Sequence, residues 1–283
     1  MSEPSGRWFS HQPNVTGRGV VASYTPRFWM IVLALGVITG VAGSALMELL
    51  KLVEHAAWSY HAGSFLDGVK AAPRWQHLAV LGGAAVVVGL GVLALGRLPS
   101  SGGGEISESL WLHNGRMSFV PSVARGVLSI VTVGMGVSLG REAAPQLAGA
   151  ATASRLADWT GLPLWQRRLL VASGAGAGMA AVYNVPLGGA LFALEVLLGT
   201  LALPLVLPAL VTSVVATAVA WVTLGSNPTY SVPSYGVHPS QLVWAMLMGP
   251  IAGVGAVLWV RVISRANVLR PRRWGRFVAP VIV

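Results

Sequence analysis

Apolar stretches, separated by short polar or glycine-rich stretches, make up most of the chain after residue 27. Residues 78–95 form one of these apolar stretches. Residues 51–76, which precede it, are mixed and more polar, and this pattern predicts a loop. Residues 1–27 are polar and rich in Gly, Pro, Ser and Arg, which predicts a tail. Three other stretches are long enough to cross a bilayer as a helix, which takes about 20 residues: residues 28–50, 201–224 and 242–263.

Shorter apolar stretches lie in the middle of the chain, where Gly and Pro interrupt the pattern. Such segments are typical of discontinuous helices that meet inside a membrane, by which transporters and channels place helix ends near an ion. Segment length alone equally allows an ordinary bundle of kinked helices, so both architectures stay open. Three of these stretches have only 13 or 14 residues, fewer than a standard span needs: residues 143–156, 169–182 and 186–198.

The composition favours a location in the cell membrane. Of the 283 residues, 54% are hydrophobic and only 10% are charged, whereas soluble domains carry about 25% charged residues. The net charge is +10, but the basic residues sit in tails and loops, including six arginines within residues 261–276. That distribution is typical of cytoplasmic segments next to anionic lipid headgroups. We therefore expect the lipid bilayer as a partner, and no nucleic acid.

One acidic residue stands out within the apolar middle of the chain. Glu142 follows Arg141 in the stretch VSLGREAAPQLAGA, and only eight charged residues occur between Ser118 and Val222. A charged side chain inside a membrane is costly and usually has a function. The alternative is a structural ion pair with a nearby arginine. Arg141 is a poor candidate for it, because adjacent residues on a helix do not face each other.

Three turns rich in Gly, Ser or Pro each precede a short predicted helix: residues 100–104, 140–145 and 183–189. A helix N-terminus offers unpaired backbone N–H groups and about half a positive charge. Several such ends that converge bind an anion without a cationic side chain. Every helix has an N-terminus, so one turn alone indicates little. Three of them in a membrane chain, next to an isolated glutamate, predict an anion site.

The residues of these turns resemble motifs of the CLC family of chloride channels and proton-coupled chloride antiporters. GREAAPQLAG at residues 140–149 is similar to its GREGP motif, and YNVPLGGALFALE at residues 183–195 is similar to FNAPLAGxLFxxE. SSGGGEISESL at residues 100–110 occupies the place of its GSGIPE motif, and the spacing between the three blocks also fits. The resemblance covers residues 28–283. It implies an all-α inverted-repeat membrane fold with discontinuous and tilted helices.

The resemblance also implies roles for individual residues. Glu142 matches the gating glutamate, which occupies an anion site until it moves aside or is protonated. Ser101 matches the serine that coordinates the anion together with its neighbouring backbone. Glu195 matches an acidic position at the end of its motif, and Val196 follows where many antiporters have a second acidic residue that delivers protons. A proton path through Glu195 and a simple pairing with an arginine both stay open. The expected anion-binding residues are Ser101, Gly102, Gly103, Arg141, Glu142 and Ala143.

A weak internal similarity suggests how the chain is divided. GVITGVAGSAL at residues 36–46 resembles GPIAGVGAVLW at residues 249–259. The expected organisation is a polar cytoplasmic tail followed by a CLC-type transmembrane domain that contains the first repeat and the start of a second. Because the chain stops in an apolar run, C-terminal truncation is expected as well. The boundaries are residues 1–27 for the tail, 28–283 for the membrane domain, 28–225 for the first repeat and 240–283 for the second.

These expectations combine into one functional hypothesis. The protein passes chloride or a similar small anion through a pore gated by Glu142, as a homodimer and without a cofactor or metal. One alternative is a proton-coupled chloride antiporter. Another, from a different class, is a truncated, non-conducting membrane protein with a structural or partner role. An enzyme is not expected, because no set of nucleophile and base or of metal ligands appears in the sequence.

Overall fold

The computed structural model describes residues 24–60, 64–97, 105–227, 236 and 238–268. Their regular structure is helical, and no strand occurs among them. They separate into two units, one ending at residue 227 and one beginning at residue 236. The helices of the first unit are α1 (Pro26–Trp58), α2 (Phe65–Ala71), α3 (Arg74–Gly96), α4 (Ile106–Leu112), α5 (Phe119–Gly134), α6 (Ala143–Thr160), α7 (Leu164–Tyr183), α8 (Pro186–Leu191), which continues as a π-helical segment (Phe192–Leu197), and α9 (Leu203–Leu224). The second unit contains α10 (Pro239–Val268).

Each apolar stretch of the sequence corresponds to a helix, which confirms the prediction of an all-α fold. The helices α6 and α7 have 18 and 20 residues, more than the apolar stretches that predicted them, because each continues into a more polar end. The prediction of a loop over residues 51–76 was wrong in part. Helix α1 continues through the polar residues up to Trp58, α2 follows, and α3 already begins at Arg74. An ion pair of 2.7 Å between Lys51 and Glu48, one turn apart, supports the extension of α1.

Four helices are long and apolar enough to cross a membrane, namely α1, α3, α9 and most of α10. This agrees with the predicted multi-pass membrane protein. The central helices α6 and α7 do not meet this criterion, because Gly, Ala and polar residues lower their hydropathy. Fifteen of the 20 residues of α7 are nevertheless buried. Helices whose surroundings are other helices do not need the hydropathy of helices that face lipid.

Glycines set how closely α7 approaches its neighbours. A Cβ atom at Gly174 would overlap the carbonyl group of Gly149 on α6, and the reverse also holds. One turn further along α7, a Cβ atom at Gly178 would overlap the carbonyl group of Pro145. On another face, Gly176 has the same relation to Gly189 on α8. Small residues therefore bring the backbones of α6, α7 and α8 into direct contact, as in other membrane helix pairs.

The helices α6 and α7 form an antiparallel hairpin. Helix α6 ends at Thr160 and is followed by Gly161, whose left-handed backbone (φ 64°) is typical of the residue that terminates a helix. The turn is closed by an ion pair of 2.6 Å between Asp158 near the end of α6 and Arg167 in the first turn of α7. Because the hairpin is antiparallel, the start of α6 and the end of α7 lie at its opposite end. Glu142 and Tyr183 are therefore neighbours there.

Candidate functional site

The segment between α5 and α6 carries the isolated glutamate. Helix α5 ends at Gly134, whose carbonyl oxygen accepts a hydrogen bond of 3.3 Å from the indole nitrogen of Trp58. Gly136 follows with φ +90°, a left-handed conformation that suits glycine. The chain then reaches Glu142, which is the N-cap residue of α6. A tryptophan of α1 thus fixes the point from which this segment starts.

The Glu142 side chain does not cap its own helix. An acidic N-cap residue usually accepts a hydrogen bond from an N–H group in the first turn, but no such bond forms here. The carboxylate lies over Gly140, so closely that a Cβ atom at Gly140 would overlap both carboxylate oxygens. The absence of a side chain at Gly140 therefore leaves the space that the carboxylate occupies.

A tyrosine hydroxyl holds the carboxylate in this position. Tyr183, the last residue of α7, donates a hydrogen bond of 3.1 Å from its hydroxyl group to Oε2 of Glu142. The guanidinium group of Arg141 lies over the Tyr183 ring, 5.2 Å from its centroid, which is within the range of a cation–π interaction. Arg141 therefore contacts the partner of Glu142. It makes no ion pair with Glu142 itself, and no other lysine or arginine of the described residues does so.

The end of α7 is in turn tied to the end of α9. Asn184 follows Tyr183 in the left-handed conformation (φ 57°), which asparagine tolerates better than most residues. Its side-chain amide donates hydrogen bonds to the carbonyl oxygens of Ser226 (2.9 Å) and Asn227 (3.3 Å). Its oxygen accepts one of 2.8 Å from the indole of Trp221. Asn184 therefore ends α7 and does not cap α8, whose N-cap residue is Val185.

The start of α6 is packed against two helices. A Cβ atom at Gly126 on α5 would lie 3.2 Å from the carbonyl oxygen of Ala144, and Gly178 on α7 packs on Pro145. The N–H groups of Ala143 and Ala144 belong to the first turn, where a helix has no acceptor of its own for them. Pro145 has no N–H group. Two backbone donors and the positive end of the helix dipole therefore lie at the end of α6 that begins with Glu142 as its N-cap residue.

The predicted site residues have three different outcomes. Arg141, Glu142 and Ala143 lie together at the start of α6. Ser101, Gly102 and Gly103 fall outside the described residues. Glu195 lies in the π-helical segment that continues α8, is exposed, and makes no ion pair with any residue that the structure describes.

Two contributors were not predicted from the sequence. Tyr183 belongs to the YNVPLGG block and stands where the similar motif FNAPLAG has Phe, so the resemblance implies no role for its hydroxyl. That difference in residue type was the available signal. Gly140 is the first residue of the GREGP-like turn, and the sequence alone does not indicate that the Glu142 carboxylate lies against it. In the described part of the chain, no group of three or more His, Cys, Asp or Glu residues is placed to hold a metal ion.

Known proteins are similar to this chain in sequence. A family model described as Voltage gated chloride channel matches residues 83–283. The voltage-gated ClC-type chloride channel ClcB of Salmonella typhimurium is 30% identical over 249 residues, covering 85% of this chain and 59% of that protein. ClcB of Citrobacter koseri is 28% identical over 236 residues, covering 82% of this chain and 56% of that protein. The chain thus spans somewhat more than half the length of these relatives.

A solved structure has the same fold. The X-ray crystal structure of a slow cyanobacterial Cl⁻/H⁺ antiporter matches with a TM-score of 0.72 at 21% sequence identity, covering 92% of this chain and 63% of that one. The order of helices and the discontinuous middle region therefore belong to a known membrane fold. Since the family model covers most of the chain, including the segments that carry Glu142 and Tyr183, this protein belongs to the voltage-gated chloride channel (CLC) family.

Proposed function

We propose that this protein passes chloride or a similar small anion across the cell membrane, and that the Glu142 carboxylate closes the passage. The observation that carries the proposal is the position of this carboxylate. It lies beside the N-terminus of α6, it does not cap that helix, and it is bound by a hydroxyl group instead of a cation. Relatives described as chloride channels support the choice of ion. The proposal keeps the homodimer expected from the family resemblance.

The mechanism follows from competition between two negative groups. The free N–H groups of Ala143 and Ala144 and the helix dipole attract an anion to the start of α6. While the carboxylate remains beside them, its charge repels that anion. Rotation of the Glu142 side chain away from Gly140, or its protonation, removes the repulsion and leaves the donors free for the anion. Ser101, Gly102 and Gly103 extend this proposed path.

A structural role for Glu142 makes the opposite prediction. If the carboxylate served mainly to balance a buried cation, its neutralisation would leave an unpaired charge and cost several kcal/mol, on the order of 3–5. The absence of a lysine or arginine ion pair to Glu142 among the described residues argues against that role. Its partner is the Tyr183 hydroxyl, which a neutral glutamine side chain also accepts as a donor.

The test is chloride efflux from liposomes that contain the protein expressed from its complete reading frame. Glu142→Gln keeps the size of the side chain and removes its charge. We expect passive efflux at least as fast as that of the unchanged protein, with a much weaker dependence on pH. Glu48→Gln is the matched control, because Glu48 is half exposed and pairs with Lys51 on the outer surface of α1. The control is expected to keep both the rate and the pH dependence of the unchanged protein.

Each outcome separates the candidates. If Glu142→Gln folds normally and loses all chloride efflux, the gating role is wrong. If the variant is unstable, the structural role is favoured. If neither the unchanged protein nor any variant conducts, the non-conducting alternative is favoured.

A proton-coupled antiporter is the second candidate. Glu195 is exposed and has no ion-pair partner among the described residues, so its carboxylate is available to exchange protons. A chloride gradient should then drive proton movement into the liposomes, and Glu195→Gln should abolish this movement while chloride efflux continues. Chloride efflux without proton movement in the unchanged protein would assign it to the channels, in line with the Val196 that follows Glu195.

A further inference from the structure

We propose that the Tyr183 hydroxyl is a latch that holds the Glu142 carboxylate in the closed position and thereby sets how readily it moves aside. Tyr183 is a positioning residue in this proposal, because it acts on the passage only through Glu142. Its effect on anion flux rests on the proposed gating role of Glu142. The contact itself is independent of that role.

The Glu142 carboxylate is contacted by two residues, Gly140 and Tyr183. Gly140 lies under it and leaves no room for a Cβ atom, while the Tyr183 hydroxyl binds Oε2 at 3.1 Å. Gly140 contributes only space, whereas the hydroxyl contributes a directed bond. Since no lysine or arginine of the described residues forms an ion pair with this carboxylate, the tyrosine is the side chain that opposes its departure.

The tyrosine is better fixed than the glutamate. The Arg141 guanidinium covers one face of its ring at 5.2 Å. Its neighbour Asn184 is held by three hydrogen bonds, one from Trp221 on α9 and two to Ser226 and Asn227 just after α9. The Glu142 side chain has three rotatable bonds and one described hydrogen-bonding partner. When the contact breaks, the carboxylate is therefore the group that moves, and the hydroxyl remains in place to receive it again.

The strength of the latch depends on the charge of the carboxylate. A hydrogen bond to an ionised carboxylate is about twice as strong as one between neutral groups. The latch is therefore strong while Glu142 is ionised and weak once Glu142 is protonated. The two proposed ways of opening, protonation and side-chain rotation, are thereby coupled, because protonation loosens the contact that resists rotation.

Tyr183→Phe is the direct perturbation. Phenylalanine keeps the ring under Arg141 and removes the hydroxyl, together with its contacts to Glu142 and Arg141. Chloride efflux at a pH where Glu142 is ionised should therefore rise by a factor of about 10–150, which is the fold-change that corresponds to the roughly 1.5–3 kcal/mol of a hydrogen bond to a charged group. The increase should shrink at low pH, where the carboxylate is protonated. In a Glu142→Ala background, Tyr183→Phe should leave the efflux unchanged, because the latch has nothing to hold.

Tyr24→Phe is the matched control. Tyr24 also donates a hydrogen bond of 3.1 Å, but to the backbone carbonyl of Pro204. Removal of the Tyr24 hydroxyl is expected to lower stability without changing the pH profile of efflux. If Tyr24→Phe changes the profile as Tyr183→Phe does, the effect comes from general loosening and the latch is refuted.

A second measurement tests the contact without relying on flux. The carboxylate band that disappears from the infrared spectrum in Glu142→Gln belongs to Glu142, and Tyr183→Phe should shift that band. A band that does not move overturns the latch, whatever the flux. A band that moves while Glu142→Gln leaves efflux unaltered establishes the contact and overturns the gating function instead. A shifted band together with faster, less pH-dependent efflux supports both.

Discussion

The ion pair between Asp158 and Arg167 provides a stability test of the helical hairpin that carries the site. The two side chains are 2.6 Å apart and join the end of α6 to the start of α7. Arg167 is almost fully buried, and its Nε and Nη1 atoms have no hydrogen-bonding partner among the residues that the structure describes. Asp158→Asn removes the charge that balances it. The expected result is a destabilised protein, because asparagine has nearly the same shape and cannot neutralise the guanidinium.

The magnitude follows from the exposure of the two partners. Breaking a fully buried pair costs about 3–5 kcal/mol. The Asp158 side chain is 46% exposed and that of Arg167 only 7%, so the lost interaction is partly screened by solvent and roughly half of that range applies. Asp158 also lies in the last turn of α6, where the helix dipole disfavours a negative charge by about 0.3–1 kcal/mol. The expected net loss is therefore about 1–2 kcal/mol.

Denaturation in detergent micelles by increasing amounts of sodium dodecyl sulfate measures this loss as a change in the free energy of unfolding. Glu48→Gln is again the control, since the Glu48–Lys51 pair has almost the same length, 2.7 Å, but both side chains are 52% exposed. An exposed pair of this kind contributes about 0–1 kcal/mol. Equal losses in the two variants, or no loss in Asp158→Asn, would refute the argument that burial of Arg167 makes this pair important.

Two further predictions concern the path and the topology. Ser101→Glu should weaken the binding of chloride or bromide, measured by calorimetry on the purified protein, because it places a negative charge at the proposed anion site; an unchanged affinity would mean that Ser101 only caps its helix. The chain contains no cysteine, so single cysteines at Ser5 and Asn267 report their own side of the membrane. Both should be shielded from impermeant external thiol reagents, because arginine-rich segments stay in the cytoplasm; labelling of either from outside contradicts this topology.

The apolar pattern predicted the helices well, because membrane spans require long uninterrupted stretches. It was less reliable where a helix continues beyond its apolar part. Residues 51–58 were predicted as loop because Lys51, Glu54 and His55 interrupt the pattern, yet they extend α1 by two turns. The polar ends of α6 and α7 were missed for the same reason. Hydropathy indicates which part of a helix contacts lipid or other helices. It does not indicate the residue at which the backbone hydrogen bonds of the helix end.

Local motifs identified Glu142 but not its partner. Glu142 and Tyr183 are 41 residues apart. The sequence around either residue does not predict that the two side chains are in contact. The sequence could only suggest that the GREGP-like turn and the YNVPLGG block take part in one site. The same limit applies to Asp158 and Arg167, which are close in sequence but whose burial depends on how α6 and α7 pack.

The contact between glutamate and tyrosine depends on the register of α6 against α7, and two glycines fix that register. Gly178 packs on Pro145. Pro145 lies three residues after Glu142, and Gly178 lies five residues before Tyr183. Gly174 packs on Gly149 one turn further into the hairpin. At both places the neighbouring atoms are backbone, which cannot rotate away as a flexible side chain can. A larger residue at either glycine would push the helices apart, and a hydrogen bond of 3.1 Å does not survive even a modest separation. The small residues of α7 therefore serve the site as well as the packing, since they hold the hydroxyl at the height of the carboxylate.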